Sequence, residues 1–168
     1  MDDLKSFTSN GARILDATAG DLTGAGCDGM VLVLDQAGAQ RRLGEGPARS
    51  VVLVVRDGAS PAREVASNPC LVPSATSGGV AGDPFGYVSV RAGQVTIVNG
   101  GGSRERWSDE FVFAYDPASD DWLAHGVVRQ VMDTETGVET RIELGAADLG
   151  GVSFRDFDPS KLPEATLP

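Results

Sequence analysis

Short apolar runs separated by turn residues recur along this chain at intervals of about eight to twelve residues. The pattern is densest over residues 78–126, which contain both tryptophans, both tyrosines, the only histidine and three of the six phenylalanines. Little of the sequence shows the 3.6-residue apolar periodicity of a helix. The pattern therefore predicts an all-β fold, mainly an antiparallel meander, with little helix.

Individual strands follow from the same pattern. Two continuous apolar runs, residues 30–34 and 50–55, predict strands buried on both faces and joined as a hairpin by a long connector. Residues 61–86 are expected to be mostly loop, with one short strand near 63–66. The predicted meander then covers residues 87–91, 94–98, 107–115, 122–132 and 138–144. We expect these strands to form a propeller-blade-like sheet or an open barrel.

The chain of 168 residues is long enough to bury a core, and we expect one β-rich domain over residues 1–168. Residues 1–15 are interpreted as an N-terminal arm or one short helix, because Asp2 and Asp3 suit a helix N-terminus. Residues 16–29 are interpreted as a Gly- and Asp-rich loop. Residues 160–168 are expected to form a proline-rich tail.

Net charge restricts the kinds of partner. The sequence has 24 acidic and 14 basic residues, which gives a formal charge of −10. Such a surface repels phosphate groups, so nucleic-acid binding is not expected. It favours a basic protein partner that associates rapidly, although the acidity also has the simpler explanation of solubility. No apolar run reaches the roughly 18 residues of a membrane span.

The N-terminal segment MDDLKSFTSNG lacks a basic stretch followed by an apolar one, so the sequence as it stands predicts a cytoplasmic protein. A periplasmic location is the alternative if Met1 replaces a removed signal peptide. Cys27 and Cys70 are too few for a zinc site. They either form one disulfide in an oxidising compartment or stay as buried thiols.

The loop DLTGAGCDG, residues 21–29, is the strongest motif-like element. Calcium loops place oxygen ligands at alternate positions, with glycines that let the chain wrap the ion. The candidate ligands are Asp16, Asp21, Thr23 and Asp28. Because Ala25 and Gly29 occupy positions where further oxygens would be needed, a metal-free turn is the alternative. No cofactor other than this possible calcium ion is expected.

The segment GDLTGAGCDGMVLVLD, residues 20–35, resembles the opening of FG-GAP or VCBS-type propeller blades and of small bacterial β proteins of immunity or inhibitor type. GGVAGDPF at 78–85, GGSRERW at 101–107 and the Trp122-Leu123 pair extend this resemblance over roughly residues 12–126. It implies a blade-like fold in which Trp107 is a core residue and Arg106 covers it. A weaker resemblance to a kelch blade rests on the Gly100-Gly101 pair, Tyr115-Asp116-Pro117 and Trp122.

Residues for catalysis are not evident. His125 is the only histidine, no serine lies in a G-x-S-x-G element, and neither cysteine has the flanking pattern of a catalytic thiol. Adjacent carboxylates such as Asp109 and Glu110 are expected in so acidic a chain. We therefore name no catalytic residue and predict that the protein is not an enzyme, with a small hydrolase dependent on His125 as an alternative.

Two loops are candidates for binding a partner, because aromatic and arginine side chains are favoured interface anchors. The first contributes Asp83, Phe85 and Tyr87, and the second contributes Arg104, Glu105 and Arg106. We predict a non-enzymatic, acidic protein-binding protein, an immunity protein or inhibitor that sterically blocks a bacterial toxin or cell-wall hydrolase. The alternative is a calcium-dependent module that binds carbohydrate or the cell envelope.

Overall fold

The computed structural model describes residues 2–36 and 47–168 as two antiparallel β-sheets. The four-stranded sheet has the order β1 (Arg13–Gly20), β2 (Asp28–Asp35), β3 (Arg49–Arg56) and β4 (Arg63–Val72). The five-stranded sheet has the order β5 (Phe85–Arg91), β6 (Gln94–Gly102), β7 (Glu105–Asp116), β8 (Asp121–Asp133) and β9 (Glu139–Gly145). The prediction of an antiparallel all-β fold is confirmed, and the described strands do not close into a barrel.

Helical structure in the described ranges is short. Three 3₁₀ segments lie at Asp2–Thr8, Gly79–Ala81 and Pro159–Lys161, and one α-helical turn, α1, covers Ala146–Leu149. The expected N-terminal helix is thus present in 3₁₀ form. No helix in the described part of the chain is long and apolar enough to cross a membrane.

The two sheets pack face to face around one core. The four-stranded sheet contributes Val31, Val33, Val51 and Leu53, and the five-stranded sheet contributes Val95, Ile97, Phe111 and Phe113. Alternation along β7 places both phenylalanines inward. Phe154 and Phe157 follow α1 and pack their rings edge-on against Phe113, at centroid distances of 4.9 and 5.1 Å.

The outer face of the four-stranded sheet is also apolar. Leu32, Leu34, Val52 and Val54 form a second buried cluster there, with Leu4 and Phe7 of the N-terminal segment packed against it. This packing explains why β2 and β3 have continuous rather than alternating apolar sequences, and it confirms the prediction of burial on both faces.

The lateral sides of the two sheets are joined differently. On one side, Gly20 of β1 lies so close to Val90 of β5 that a Cβ atom at residue 20 would meet a Val90 methyl carbon at 2.5 Å. On the other side, the buried Asn68 amide of β4 donates hydrogen bonds of 2.7 Å to the carbonyl oxygens of Phe154 and Phe157. The C-terminal segment is therefore part of the core structure.

Two strand predictions need correction. Residues 16–20 belong to β1 and not to a loop, and β4 extends to Val72 rather than ending near residue 66. β1 is an edge strand without a fully buried residue, so its sequence RILDATAG lacks a strong apolar pattern. β4 contains Pro69, which is tolerated because β4 is also an edge strand.

Candidate protein-interaction surface

The two predicted binding loops lie at the same end of the five-stranded sheet. Phe85 at the start of β5 pairs with Asn99 of β6. The backbone N–H groups of Gly100 and Gly102 donate to the carbonyl oxygens of Pro84 and Gly78, each at 2.8 Å. The segment before β5 therefore runs along the end of β6, which leads directly into the β6–β7 hairpin. The tertiary structure thus brings both loops together.

Glycine makes this close approach possible. A Cβ atom on Gly101 would lie 3.0 Å from the Cα atom of Gly78 and 3.0 Å from Cζ2 of Trp107. Gly101 is also the β-sheet partner of Trp107. The glycine run at 100–102 therefore provides space for a backbone crossing and for the Trp107 indole ring.

Asp83 has a role that the sequence does not predict. Its carboxylate accepts two hydrogen bonds of 2.7 Å from the guanidinium of Arg49, a β3 residue that is only 1% exposed. Hydrogen bonding from Arg49 lowers the pKa of Asp83. The Nε atom of Arg49 also lies 3.6 Å from Asp35, which pairs with Arg13 at 3.0 Å. Asp83 thus fixes its loop to the four-stranded sheet.

The other two residues of the first loop differ in exposure. Phe85 is half-buried and packs against the main core. Tyr87 is 54% exposed and pairs with Val98, so it lies on the outer face of the five-stranded sheet. The Asp83 side chain is 43% exposed but its carboxylate is bound to Arg49, so Tyr87 is the exposed side chain of this loop that no ion pair holds.

Arg104 of the hairpin is held by two carboxylates. Its guanidinium lies 2.8 Å from Asp133 and 3.1 Å from Glu135. Hydrogen bonding from Arg104 lowers the pKa of Asp133 from 3.8 to about 2. These ion pairs join the β6–β7 hairpin to the β8–β9 turn.

Glu105 and Arg106 are both exposed, and they point to opposite faces of β7. Arg106 lies on the outer face and donates to the carbonyl oxygen of Gly102 at 3.3 Å. The expectation that Arg106 covers Trp107 is therefore wrong, because consecutive strand residues project to opposite faces. Trp107 is half-buried on the inner face and lies outside the main core cluster.

A cleft of about 400 Å³ surrounds Trp107 on this inner face. We call it the Trp107 cleft, and its lining residues are Glu105, Trp107, Asp109, Arg129, Gln130, Val131, Glu164 and Ala165. Phe111 pairs with Val127 in the core. The next two pairs on the same face of β7 and β8 are Asp109 with Arg129 and Trp107 with Val131. The cleft is thus a continuation of the core face of β7 and β8.

The C-terminal segment forms one wall of the Trp107 cleft. The Arg129 guanidinium donates to the carbonyl oxygens of Pro159 and Pro163 at 3.0 and 3.2 Å. It also makes two hydrogen bonds to Asp109, at 3.0 and 3.1 Å. The sequence analysis missed this cleft. The alternation of Glu105, Trp107 and Asp109 along one strand was the available signal, but the tail that completes the cleft is distant in sequence.

The calcium-like loop is organised by backbone hydrogen bonds. The Asp21 carboxylate accepts from the N–H groups of Thr23, Gly24, Gly26 and Cys27 at 2.8–3.1 Å. These bonds, with Gly26 the largest contributor, lower the pKa of Asp21. The partial positive charges of these N–H groups stabilise the ionised carboxylate, as a bound cation would.

This loop also joins the two sheets. The carbonyl oxygen of Asp21 accepts from the N–H of Gly93, in the β5–β6 turn, at 3.0 Å. The carbonyl oxygen of Leu22 accepts from the indole N–H of Trp122 at 2.7 Å. The motif that resembles a calcium loop thus docks the β1–β2 hairpin on the five-stranded sheet.

Of the other candidate metal ligands, Thr23 lies beside Asp21, and its hydroxyl donates to the Asp21 carboxylate at 3.3 Å. Asp16 pairs with Val33 in the middle of β1, and its carboxylate accepts from the hydroxyl of Thr18 at 2.7 Å. Asp28 is exposed at the start of β2. Within the described ranges, no group of three or more His, Cys, Asp or Glu side chains could hold a metal ion.

The two thiols are free, and neither is activated. Cys27 is half-buried, and desolvation, followed by the charges of Asp21, Asp57 and Asp28, raises its pKa. Cys70 is exposed on β4, contrary to the expectation of a buried thiol, and desolvation also raises its pKa. Both shifts favour the protonated thiol over the nucleophilic thiolate. His125 is exposed on β8.

Comparison of the chain with family models, curated proteins and solved structures finds no match. The resemblance to propeller-blade and immunity-type proteins stays a prediction from the motifs.

Proposed function

We propose that this chain is a non-enzymatic, acidic protein-binding protein that sterically blocks a basic bacterial toxin or cell-wall hydrolase. Its binding surface is the end of the five-stranded sheet, where the segment before β5 meets the β6–β7 hairpin. The expected mechanism is occlusion: the acidic surface steers association, and the two loops cover the active site of the partner.

The observation that carries this proposal is the fixation of both loops by internal ion pairs. Arg49 holds the first loop through Asp83, and Asp133 holds the second through Arg104. Tyr87, Glu105 and Arg106 nevertheless stay exposed around these fixed points. Rigid loops lose little conformational entropy when they bind, which favours tight association.

Site-specific photo-crosslinking tests the proposal. A photoreactive phenylalanine derivative is placed at Tyr87, and the matched control places it at Ala118, an exposed residue in the β7–β8 turn at the opposite end of the sheet. We expect crosslinking from position 87, but not from 118, to a basic toxin or hydrolase. Adding this protein in equimolar amount is expected to inhibit that enzyme.

The double substitution Tyr87→Ala and Arg106→Ala is expected to weaken inhibition at least about tenfold, because truncating interface anchors costs a few kcal/mol. Equal crosslinking from both positions, or full activity of the captured enzyme in the presence of this protein, contradicts the proposal.

A further inference from the structure

The charges around the Trp107 cleft are unevenly compensated. Asp109 is paired with Arg129 at 3.0 Å, and nearby Asp133 is paired with Arg104 at 2.8 Å. Glu105 and Glu164 also line the cleft, and neither forms a salt bridge within the described ranges, although Glu105 interacts electrostatically with its neighbour Arg104. The cleft therefore has an excess of negative charge at its rim.

The indole ring of Trp107 also favours a cationic ligand in the cleft. Trp107 is half-buried, stands outside the main core cluster, and its N–H donates to no protein acceptor within the described ranges. The face of an indole ring attracts cations more strongly than the other aromatic side chains do. An aromatic surface beside two carboxylates that form no salt bridge is complementary to a long cationic side chain with an apolar stem.

We infer that the Trp107 cleft receives a lysine or arginine side chain of the basic protein partner. This inference rests on the proposed function and specifies how the partner is recognised. The apolar stem of the cationic side chain packs on Trp107 and Val131, and its charged end lies between Glu105 and Glu164. The volume of about 400 Å³ is within the range of clefts that enclose a ligand group.

Titration with acetyl-trilysine amide, followed by the indole N–H resonances of the two tryptophans, tests the inference. The Trp107→Phe variant assigns the resonances. We expect the Trp107 resonance to shift with increasing peptide, whereas Trp122, buried and bonded to the Leu22 carbonyl at 2.7 Å, serves as an internal reference. Added salt is expected to weaken binding. Acetyl-triglutamate amide is expected to cause no shift.

A charge-matched pair of variants separates a specific cleft from general attraction to an acidic protein. Glu105→Gln with Glu164→Gln is expected to raise the dissociation constant about tenfold, because two nearby charges are lost. Glu64→Gln with Glu139→Gln removes the same charge from exposed positions on β4 and β9 outside the cleft lining. This control is expected to change the dissociation constant less than about twofold.

Equal weakening by both variant pairs, or no shift of the Trp107 resonance, overturns the inference. Failure of this inference is distinguishable from failure of the proposed function. Peptide binding at Trp107 without any crosslinked toxin or hydrolase contradicts the proposed function alone. Inhibition of such an enzyme that is unaffected by Glu105→Gln with Glu164→Gln contradicts the cleft inference alone.

Discussion

The guanidinium of Arg49 and the carboxylate of Asp83 join the two sheets through two parallel hydrogen bonds of 2.7 Å. Arg49 lies in β3 of the four-stranded sheet, and Asp83 lies two residues before β5 of the five-stranded sheet. Because Arg49 is 1% exposed, its positive charge depends on carboxylate partners within the protein. This pair fixes one loop of the proposed binding surface.

Replacing Asp83 with asparagine is expected to lower the free energy of unfolding by about 3 kcal/mol, because a buried cation loses its bidentate partner. Urea denaturation measures this change. Asp57→Asn is the matched control, since Asp57 pairs with Arg63 while both side chains are more than 60% exposed. The control is expected to cost less than about 0.5 kcal/mol. Equal losses for the two variants contradict the structural role of Asp83.

Acid is expected to weaken the attachment of the β6–β7 hairpin. Arg104 lowers the pKa of Asp133 from 3.8 to about 2, so the folded state keeps this carboxylate ionised where the unfolded state begins to protonate it. The stabilisation is complete above pH 4 and is lost as the pH falls to about 2. The free energy of unfolding, measured between pH 2 and 6, is expected to fall less steeply in Asp133→Asn than in the wild type. Identical slopes contradict this assignment.

Asp21 is expected to stabilise its loop without calcium. Asp21→Ala removes the acceptor of four backbone N–H groups and is expected to lower the melting temperature by several degrees. Asp28→Ala, at an exposed position of the same hairpin, is the control and is expected to leave it nearly unchanged. Millimolar calcium is expected to leave the wild-type melting temperature unchanged. A rise with calcium that a chelator reverses supports the calcium-binding alternative instead.

Gly101→Ala is expected to disturb the Trp107 cleft. The added methyl group lies 3.0 Å from Gly78 backbone atoms and from the Trp107 ring, so the ring or the loop must shift. We expect a loss of about 1 to 3 kcal/mol in the free energy of unfolding and a changed indole resonance of Trp107. Gly126→Ala is the control, because its nearest neighbour is the Leu144 carbonyl oxygen at 3.9 Å. An unchanged indole resonance in Gly101→Ala contradicts the proposed packing.

The meander was predictable because its signals are local. The strands predicted at 87–91 and 94–98 are joined by a two-residue turn, Ala92-Gly93, with Gly93 at a φ of 76° and Arg91 paired with Gln94. The strand predicted at 107–115 is part of β7, where alternation puts Phe111 and Phe113 in the core. β1 was missed because the exposure of an edge strand removes the apolar pattern on which the prediction depends.

The candidate surface was predictable only in part. Both loops were identified from their glycines, aromatics and arginines, but the partners of Asp83 and Arg104 lie 34 and 29 residues away along the chain. No local pattern indicates that Arg49 is buried against Asp83. The role of Asp21 in joining the sheets likewise requires Gly93 and Trp122, which approach it only in the folded protein.

The sequence by itself determined the antiparallel β class, most of the strands and the acidic surface, because turn chemistry, side-chain alternation and charge are properties of short segments or of composition. Tertiary structure decided which polar groups form hydrogen bonds and ion pairs within the protein and which stay exposed, since burial and pairing depend on contacts between distant segments. The Trp107 cleft has the same origin, because β7, β8 and the C-terminal segment form it together.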